Sequence, residues 1–163
     1  MSGIYFHIPF CKRVCGYCDF ARTADMRRRD EVVAAMHREL EERRDFLHNI
    51  NIGTVYFGGG TPTVLPAAEL QRLIDTAAGY FDLSAVGEIT VEANPDDLTP
   101  QYVKELRRTQ TNRLSIGIQS FDDGCLRMMN RRHTAAQAVE AVKRAQDAGI
   151  ENISVDLIFG VDG

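Results

Sequence analysis

Cys11, Cys15 and Cys18 are the side chains of this 163-residue chain with the clearest capacity for chemistry. They are spaced C-x3-C-x2-C on a short polar segment that directly follows an apolar stretch. Thiolates are soft ligands that favour iron–sulfur ligation. Three of them so close together can hold three irons of a cluster and leave the fourth iron open to a second cofactor, which could accept an electron. We therefore interpret this segment as the centre of the functional site.

Zinc is an alternative metal for the same cysteines, because His7 lies near enough in the sequence to be a fourth ligand. Structural zinc sites usually contain two C-x2-C pairs, however, and the sequence has no second pair. A disulfide is less favoured, since clustered thiols in a sequence without a signal peptide are typical of the reducing cytosol. We therefore expect a cytoplasmic protein with an iron–sulfur site, in which the distant Cys125 is a buried apolar residue.

The composition is that of one ordinary globular domain. Hydrophobic residues make up 44% of the chain and charged residues 26%, which is sufficient for a packed core. The formal net charge of −4 gives no reason to expect a nucleic-acid partner. Because no apolar stretch is long enough to span a bilayer, no transmembrane segment is expected.

Strand and helix patterns alternate with a period of about thirty residues, the spacing of βαβ units in an α/β fold. Strands are predicted at 3–8, 54–57, 88–92, 113–118 and 152–158. Helices are predicted at 29–47, from 66, from Pro100 with Thr99 as the N-cap, at 124–129 and at 134–149. The apolar stripes expected on the first and last helices are Val33, Met36, Leu40 and Leu47, and Ala138, Val139, Val142 and Ala145. The last strand is nearly continuously apolar, so we expect it to be covered on both faces.

Polar residues and glycines stand at the carboxyl ends of several of these predicted strands. Glu92, Gln119 and Asp156 lie near strand carboxyl ends, and three glycines at 58–60 end the second strand. Groups at the carboxyl ends of barrel strands converge on one site, so the pattern favours a barrel over an open doubly wound sheet. Glycines let a backbone approach a ligand, so Gly60→Val is expected to abolish ligand binding and leave a cluster in place. Arg131 could pair with a carboxylate.

The order of these segments resembles the radical S-adenosylmethionine (SAM) enzymes, and within them the oxygen-independent coproporphyrinogen III oxidase group. The resemblance runs through segment 5–11, the C-x3-C-x2-C cysteines, segment 58–63, Glu92, segment 118–121 and segment 155–160. It implies a partial (βα)6 radical SAM barrel, with the N-terminal five βα units present. Residues 1–163 are then the N-terminal part of a radical SAM core, without the last barrel strand and a C-terminal domain.

The same resemblance implies the cofactors and their ligands. Cys11, Cys15 and Cys18 would bind a 4Fe-4S cluster whose fourth iron chelates SAM, and a reduced cluster would cleave SAM to methionine and a 5′-deoxyadenosyl radical. The residues that match positions around SAM are Tyr5, Gly59, Gly60, Thr61, Glu92, Gln119, Arg131 and Asp156.

One departure separates two branches of this group. The oxidases carry a further cysteine two residues after the last cluster cysteine, and Phe20 stands there in this sequence. The ending Cys18-Asp19-Phe20 is similar to the heme chaperone branch, HemW, which implies heme and a heme-accepting protein as partners. A coproporphyrinogen oxidase and a zinc-binding scaffold without redox chemistry remain alternatives, and whether the protein is an enzyme stays open. The terminal segment 160–163 also departs from the family pattern, which continues further.

Overall fold

The computed structural model describes residues 2–47 and 51–160, and within them the chain alternates strands and helices. The strands are β1 (Ser2–Ile8), β2 (Ile52–Gly59), β3 (Glu88–Ala93), β4 (Arg113–Gln119) and β5 (Asn152–Leu157). The α-helices are α1 (Arg29–Glu42), α2 (Ala67–Tyr80), α3 (Pro100–Leu106), α4 (Asp123–Met128) and α5 (Ala135–Asp147). Short 3₁₀ helices at Pro62–Val64 and Pro95–Asp97 follow β2 and β3. The predicted α/β class is confirmed.

The five described strands form one parallel sheet in the order β1-β2-β3-β4-β5. Each strand therefore pairs with the next strand in the sequence, whereas the order of a doubly wound sheet reverses at a switch point. The register carries Tyr5 opposite Tyr56, and Gly117 opposite Asp156. This topology is that of a partial βα barrel, as predicted, with β5 as the last described element.

The hydrophobic core fills one face of the sheet. Side chains alternate across a strand, so every second residue points towards the helices. The rings of Phe6 and Phe57 stack there with their centroids 4.7 Å apart. The other buried strand residues of this core are Ile8, Val55, Ile89, Val91, Ala93, Leu114, Ile116 and Ile118. Because the helices cover this face alone, the opposite face is free to carry the polar residues of the strands.

The opposite face is polar along its length. Arg113 donates hydrogen bonds to the hydroxyls of Thr90, at 3.2 Å, and Ser154, at 2.9 Å. Tyr5, His7, Tyr56, Glu92, Ser115 and Asp156 share this face by strand alternation. The sheet therefore separates an apolar layer that stabilises the fold from a polar layer that ends at the predicted site.

Two predicted helical stripes need correction. Helix α1 ends at Glu42, so Leu47 lies beyond it, while Val33 and Leu40 are buried as predicted. In α5 the buried residues are Ala138, Ala141 and Ala145, and Val139 is 52% exposed. The alanine positions are spaced i, i+3 and i+7, which keeps three small side chains on the packed face. The buried face of α5 is therefore rotated from the predicted one.

Strand β5 is an exposed edge in the described part of the chain, so the expectation of cover on both faces is wrong there. Val155 is 42% exposed and Leu157 is 53% exposed. No described helix follows β5, whereas helices follow each earlier strand. Residues 161–163, which include the departure from the family pattern, lie outside the described residues. Among the residues described, no helix has both the length and the apolar character needed to cross a membrane.

The N-terminus of α5 gives a test of this fold. The Thr134 side chain accepts a hydrogen bond from the Gln137 backbone N–H at 3.2 Å, and the Gln137 side chain accepts one from the Thr134 N–H at 2.9 Å. Thr134→Ala removes one half of this capping box and is expected to lower the free energy of unfolding by about 1 kcal/mol. Urea denaturation followed by circular dichroism measures the change. Thr134→Ser keeps the hydroxyl and should stay close to the wild type, so equal losses in both variants would contradict the capping role.

Candidate functional site

The three predicted cluster cysteines line one cavity of about 410 Å³ at the carboxyl ends of the strands. Cys11 is buried at 8% exposure, and Cys15 and Cys18 are partly exposed. Ten of the eleven predicted site residues line this cavity. They are Cys11, Cys15, Cys18, Gly59, Gly60, Thr61, Glu92, Gln119, Arg131 and Asp156. The structure therefore brings together groups that are up to 145 positions apart in the sequence, from Cys11 to Asp156.

The cysteine loop is fixed by the backbone at its base. The Cys11 N–H donates to the Thr23 carbonyl at 2.9 Å, and the Thr23 N–H donates to the Pro9 carbonyl at 2.7 Å. The far side of the loop is held by the segment after α4, where the Asn130 side-chain amide donates to the Val14 carbonyl at 2.7 Å. The loop is thus tied at both ends, and the thiols between those ends are held over the cavity.

Cys11 is the cysteine most enclosed by protein. Burial raises the pKa of its thiol, and the neighbouring Cys18 and Cys15 raise it further, while a hydrogen bond from the Thr61 hydroxyl lowers it. That hydroxyl donates to the Cys11 sulfur at 3.5 Å and accepts a hydrogen bond from the Asn94 amide at 3.1 Å. A cation beside the sulfur would favour the thiolate, since a metal deprotonates a coordinating thiol.

The glycine loop packs against the cysteine loop. A Cβ on Gly60 would lie 2.8 Å from the Phe10 carbonyl oxygen and 3.0 Å from the Cys11 sulfur. Gly59 has φ of +107°, a conformation that favours glycine. The Gly60 N–H donates to the Ile8 carbonyl at 2.8 Å. Gly60→Val would therefore displace the cysteine loop itself, so this variant is expected to disturb the three cysteines as well as a ligand.

Glu92 is held in the cavity by two donors. The Tyr56 hydroxyl donates to one carboxylate oxygen at 2.8 Å, and the Gly59 N–H donates to the other at 3.2 Å. Burial raises the pKa of the Glu92 carboxyl, the two hydrogen bonds lower it, and the nearby Asp156 raises it. The two acids lie on the same side of the cavity, and a cationic or hydroxyl-rich ligand would relieve their repulsion.

Gln119 and Asp156 reach the cavity from β4 and β5. Gln119 has φ of +72°, which folds its side-chain amide over Gly117, where a Cβ would lie 2.7 Å from the amide nitrogen. The Ser115 hydroxyl lies 3.4 Å from the Asp156 carboxylate and 3.1 Å from the Ser154 hydroxyl. Gly117 thus provides the space that the Gln119 side chain occupies.

Arg131 contacts both halves of the cavity wall. Its guanidinium donates to the Asn94 side-chain oxygen at 2.7 Å and to the Gly117 carbonyl, and it lies 3.5 Å from the Cys15 sulfur. Its Nε is buried without a partner in the described structure, and so is the Nε of Arg22, which lines the same cavity. Buried donors without partners are costly, and the two guanidinium groups give the cavity wall a positive charge that suits an anionic ligand.

Tyr5 is the predicted site residue that does not line the cavity. It is 56% exposed, stacks on Tyr56 with ring centroids 5.9 Å apart, and lies within hydrogen-bond distance of the His7 ring at 3.2 Å. It neighbours the site through Tyr56, which holds Glu92, and the charge of Glu92 adds to burial in raising the pKa of the Tyr5 hydroxyl. Tyr56 was not predicted, although it shares the Tyr5 register position on the next strand.

Other cavity residues were missed from the sequence. Asn94 joins Thr61 to Arg131, and its signal was its place two residues after Glu92. Tyr17 lies between Cys15 and Cys18 in the sequence, and burial raises the pKa of its hydroxyl to about 12. Phe20, which was noted only for a branch difference, is 68% exposed at the cavity. No periodic pattern identifies these loop residues, because their positions depend on how the loops fold together.

His7 is poorly placed to be a zinc ligand. Its Nε2 donates to the Ala21 carbonyl at 2.8 Å, so its Nδ1 is left to accept the Tyr5 hydroxyl at 3.2 Å. In the part of the chain that the structure describes, no three His, Cys, Asp or Glu side chains form a group arranged around one metal ion. A cluster places each thiolate on a different iron, which suits thiols that line a cavity together without meeting at one point. Cys125 lies outside the cavity on α4 and is partly exposed, so its predicted burial is wrong.

Comparisons with known proteins agree with this geometry. Residues 5–163 match the profile of the radical SAM superfamily. The chain is 42% identical to the heme chaperone HemW of Lactococcus lactis over 162 residues, covering 99% of this chain and 42% of that protein. It is 38% identical to the heme chaperone HemW of Bacillus subtilis, covering 100% of this chain and 44% of that protein. The chain thus spans about two fifths of the length of these curated relatives.

The solved structure of coproporphyrinogen III oxidase (HemN) from Escherichia coli, a radical SAM enzyme, superposes with a TM-score of 0.86 at 28% identity. The match covers 97% of this chain and 37% of that one. A parallel βα sheet with its functional groups at the strand carboxyl ends defines the class as a barrel-type α/β protein. Within that class, the chain belongs to the radical SAM superfamily.

The contact between Tyr56 and Glu92 gives a test of the site. Tyr56→Phe removes a hydroxyl that stabilises the carboxylate, so we expect the pKa of Glu92 to rise above its wild-type value. NMR titration of protein labelled at the glutamate carboxyl carbons measures it. Because a raised pKa makes the folded state bind the proton more tightly, the contribution of Glu92 to stability falls as the pH rises between its unfolded and folded pKa. Tyr56→Phe should shift the upper end of that interval to higher pH.

The matched control is Tyr5→Phe. This variant removes a neighbouring hydroxyl in the same ring stack that bonds His7 and leaves both Glu92 hydrogen bonds in place. An identical Glu92 titration in wild type and Tyr56→Phe would show that the hydroxyl does not hold the carboxylate.

Proposed function

We propose that this chain is part of a HemW-like radical SAM protein, which binds a 4Fe-4S cluster and SAM and acts as a heme chaperone. The observation that carries the proposal is the convergence of three free thiols with Glu92 and Arg131 on one cavity. The relatives at 42% and 38% identity are heme chaperones, which supports the chaperone branch. Because the chain spans only part of those relatives, the activity and partners of a whole protein belong to this proposal.

The cluster would be held by Cys11, Cys15 and Cys18, since they are the thiols that line the cavity. When bound, such a cluster supplies one electron for reductive cleavage of SAM. The chain's own residues hold and orient the sulfur atoms that would bind the cluster. Thr61 holds the Cys11 sulfur in place, and Arg131 places a positive charge beside the Cys15 sulfur.

The remaining walls suit a zwitterionic nucleoside such as SAM. The carboxylates of Glu92 and Asp156 match an ammonium group, a sulfonium or ribose hydroxyls. The positive charge of the Arg131 guanidinium, which lines the cavity, matches a carboxylate. The N–H groups of Gly59 and Gly60 already donate hydrogen bonds to Glu92 and Ile8. The proposed role of the two glycines is therefore to leave room for SAM to approach the backbone. Tyr5 is proposed to act through its stack on Tyr56.

Phe20 separates the chaperone proposal from coproporphyrinogen oxidation. Its side chain stands at the cavity where the oxidases have a further cysteine, and a phenyl ring offers no thiol for redox or radical chemistry. Heme and a heme-accepting protein are therefore the proposed partners. Residues 1–163 are proposed to be the N-terminal part of the radical SAM core. A cytoplasmic location stays a prediction, which the four free cysteines support.

The cysteine assignment is tested by metal content. After anaerobic reconstitution, Cys11→Ala, Cys15→Ala and Cys18→Ala are each expected to lose the cluster, because an iron without its thiolate loses its protein anchor. Cys125→Ala is the matched control and should keep it, since Cys125 lies outside the cavity. Iron and sulfide counts with the visible absorption spectrum give the result. Zinc without sulfide in the wild type would instead support the scaffold alternative.

The chaperone assignment is tested by product. The purified protein is expected to bind heme and pass it to an acceptor, and to leave coproporphyrinogen III unchanged under anaerobic conditions with SAM and a reductant. Formation of protoporphyrinogen IX would overturn the chaperone proposal in favour of the oxidase. Phe20→Cys is assayed beside the wild type for the same conversion, because it places at the cavity the residue type that the oxidases have there.

A further inference from the structure

Asp97 is a buried carboxylate that lies outside the cavity and beneath its loops. It is the last residue of the 3₁₀ helix Pro95–Asp97, and its side chain is 1% exposed. Buried carboxylates are rare unless they are paired and hydrogen-bonded. Asp97 satisfies that condition with partners that come from three other segments of the chain.

Those partners all stand beside predicted site residues. Lys12 donates to one oxygen of Asp97 at 2.6 Å and directly follows Cys11. Arg132 donates to the same oxygen at 3.1 Å and directly follows Arg131. Thr63 donates to the other oxygen at 3.2 Å. It lies two residues after Thr61, whose hydroxyl contacts the Cys11 sulfur.

The helix that carries Asp97 is itself anchored. Leu98 is fully buried in the core, and its carbonyl accepts a hydrogen bond from Arg144 of α5 at 2.5 Å. Asn94, at the other end of the same segment, joins Thr61 to Arg131. The segment after β3 therefore contacts the cysteine loop, the glycine loop and the loop that carries Arg131 and Arg132 from a fixed position.

We propose that Asp97 is a positioning residue. Through its bonds to Lys12 and Arg132, it holds the cysteine loop and Arg131 at a fixed position relative to each other. This inference rests on the proposed function of the cavity. Both cations lie within charge-assisted hydrogen-bond distance of one oxygen, so a small movement of either loop would lengthen a strong bond. Asp96 also pairs with Arg132, so this group of ion pairs contains two acids and two cations and has no net charge.

The test measures the cysteine loop without any cofactor. In apo-protein, Cys11 is 8% exposed and should react slowly with N-ethylmaleimide, as measured by mass spectrometry. Asp97→Asn keeps the size of the side chain and removes its charge. We expect it to increase the labelling rate of Cys11 by about tenfold, because charge-assisted hydrogen bonds are among the stronger bonds in proteins. The rate at Cys125 should stay constant and is the internal reference.

Two further variants make the result specific. Asp75→Asn is the matched control, because Asp75 is an exposed acid of α2 that bonds only Gln71 among the described contacts. Lys12→Met tests the same bond from its other side, and Lys12 is 47% exposed, so the chain should tolerate the change. If Asp97 acts through Lys12, the double variant should label Cys11 no faster than the faster single variant.

A second readout follows the site after reconstitution. Asp97→Asn is expected to keep its iron and lose about tenfold in SAM affinity by calorimetry, since Arg131 would no longer be held in register. A folded Asp97→Asn protein with wild-type Cys11 labelling and wild-type SAM affinity would overturn the proposal. If Asp97→Asn does not fold, Lys12→Met decides alone, and an unchanged Cys11 rate then overturns it. If the wild type builds no cluster, the proposed function fails, while the labelling experiment still decides the role of Asp97.

Discussion

Parallel pairing of β1 to β5 is the constraint on which the site depends. In a parallel sheet all strands run in one direction, so the segments that follow β1, β2, β3 and β4 leave from the same edge. Those segments and the strand ends that lead into them carry the cysteines, the glycines, Asn94 and Gln119. The core on the helix-facing side fixes the register, and the register fixes which polar residues meet. A slip of one residue in any strand would turn its polar residues into the core.

The loops are held mainly by each other. Thr61 contacts the Cys11 sulfur, Asn94 contacts Thr61, and Arg131 contacts Asn94. Gly60 allows the closest of these approaches, because a Cβ there would touch the cysteine loop. Such a network is cooperative, so its members constrain one another more than separate pairs would. Chemistry at one thiol is therefore coupled to the shape of the whole cavity.

The charge of the site is divided between two layers. In the cavity, Glu92 and Asp156 face Arg131 and the thiols, and burial raises the pKa of both Glu92 and Cys11. Beneath the cavity, Asp96 and Asp97 pair with Lys12 and Arg132. The lower layer is satisfied within the chain, whereas the upper layer retains unpartnered Nε atoms on Arg22 and Arg131. Ligand binding is expected at the upper layer, where Glu92, Asp156 and Arg131 line the open cavity.

The sequence by itself determined the α/β class, the order of the elements and ten of the residues that line the cavity. Strand and helix periods are local, so β3 begins at Glu88 and α3 begins at Pro100 as predicted. The cysteine spacing is also local, and it predicted three residues that line the cavity. The tertiary structure alone decided the exposure of Val139 and β5, the place of Tyr5 outside the cavity, and the roles of Tyr56, Asn94 and Asp97. Each of those depends on which residue from a distant segment comes into contact, and no local pattern in a sequence carries that information.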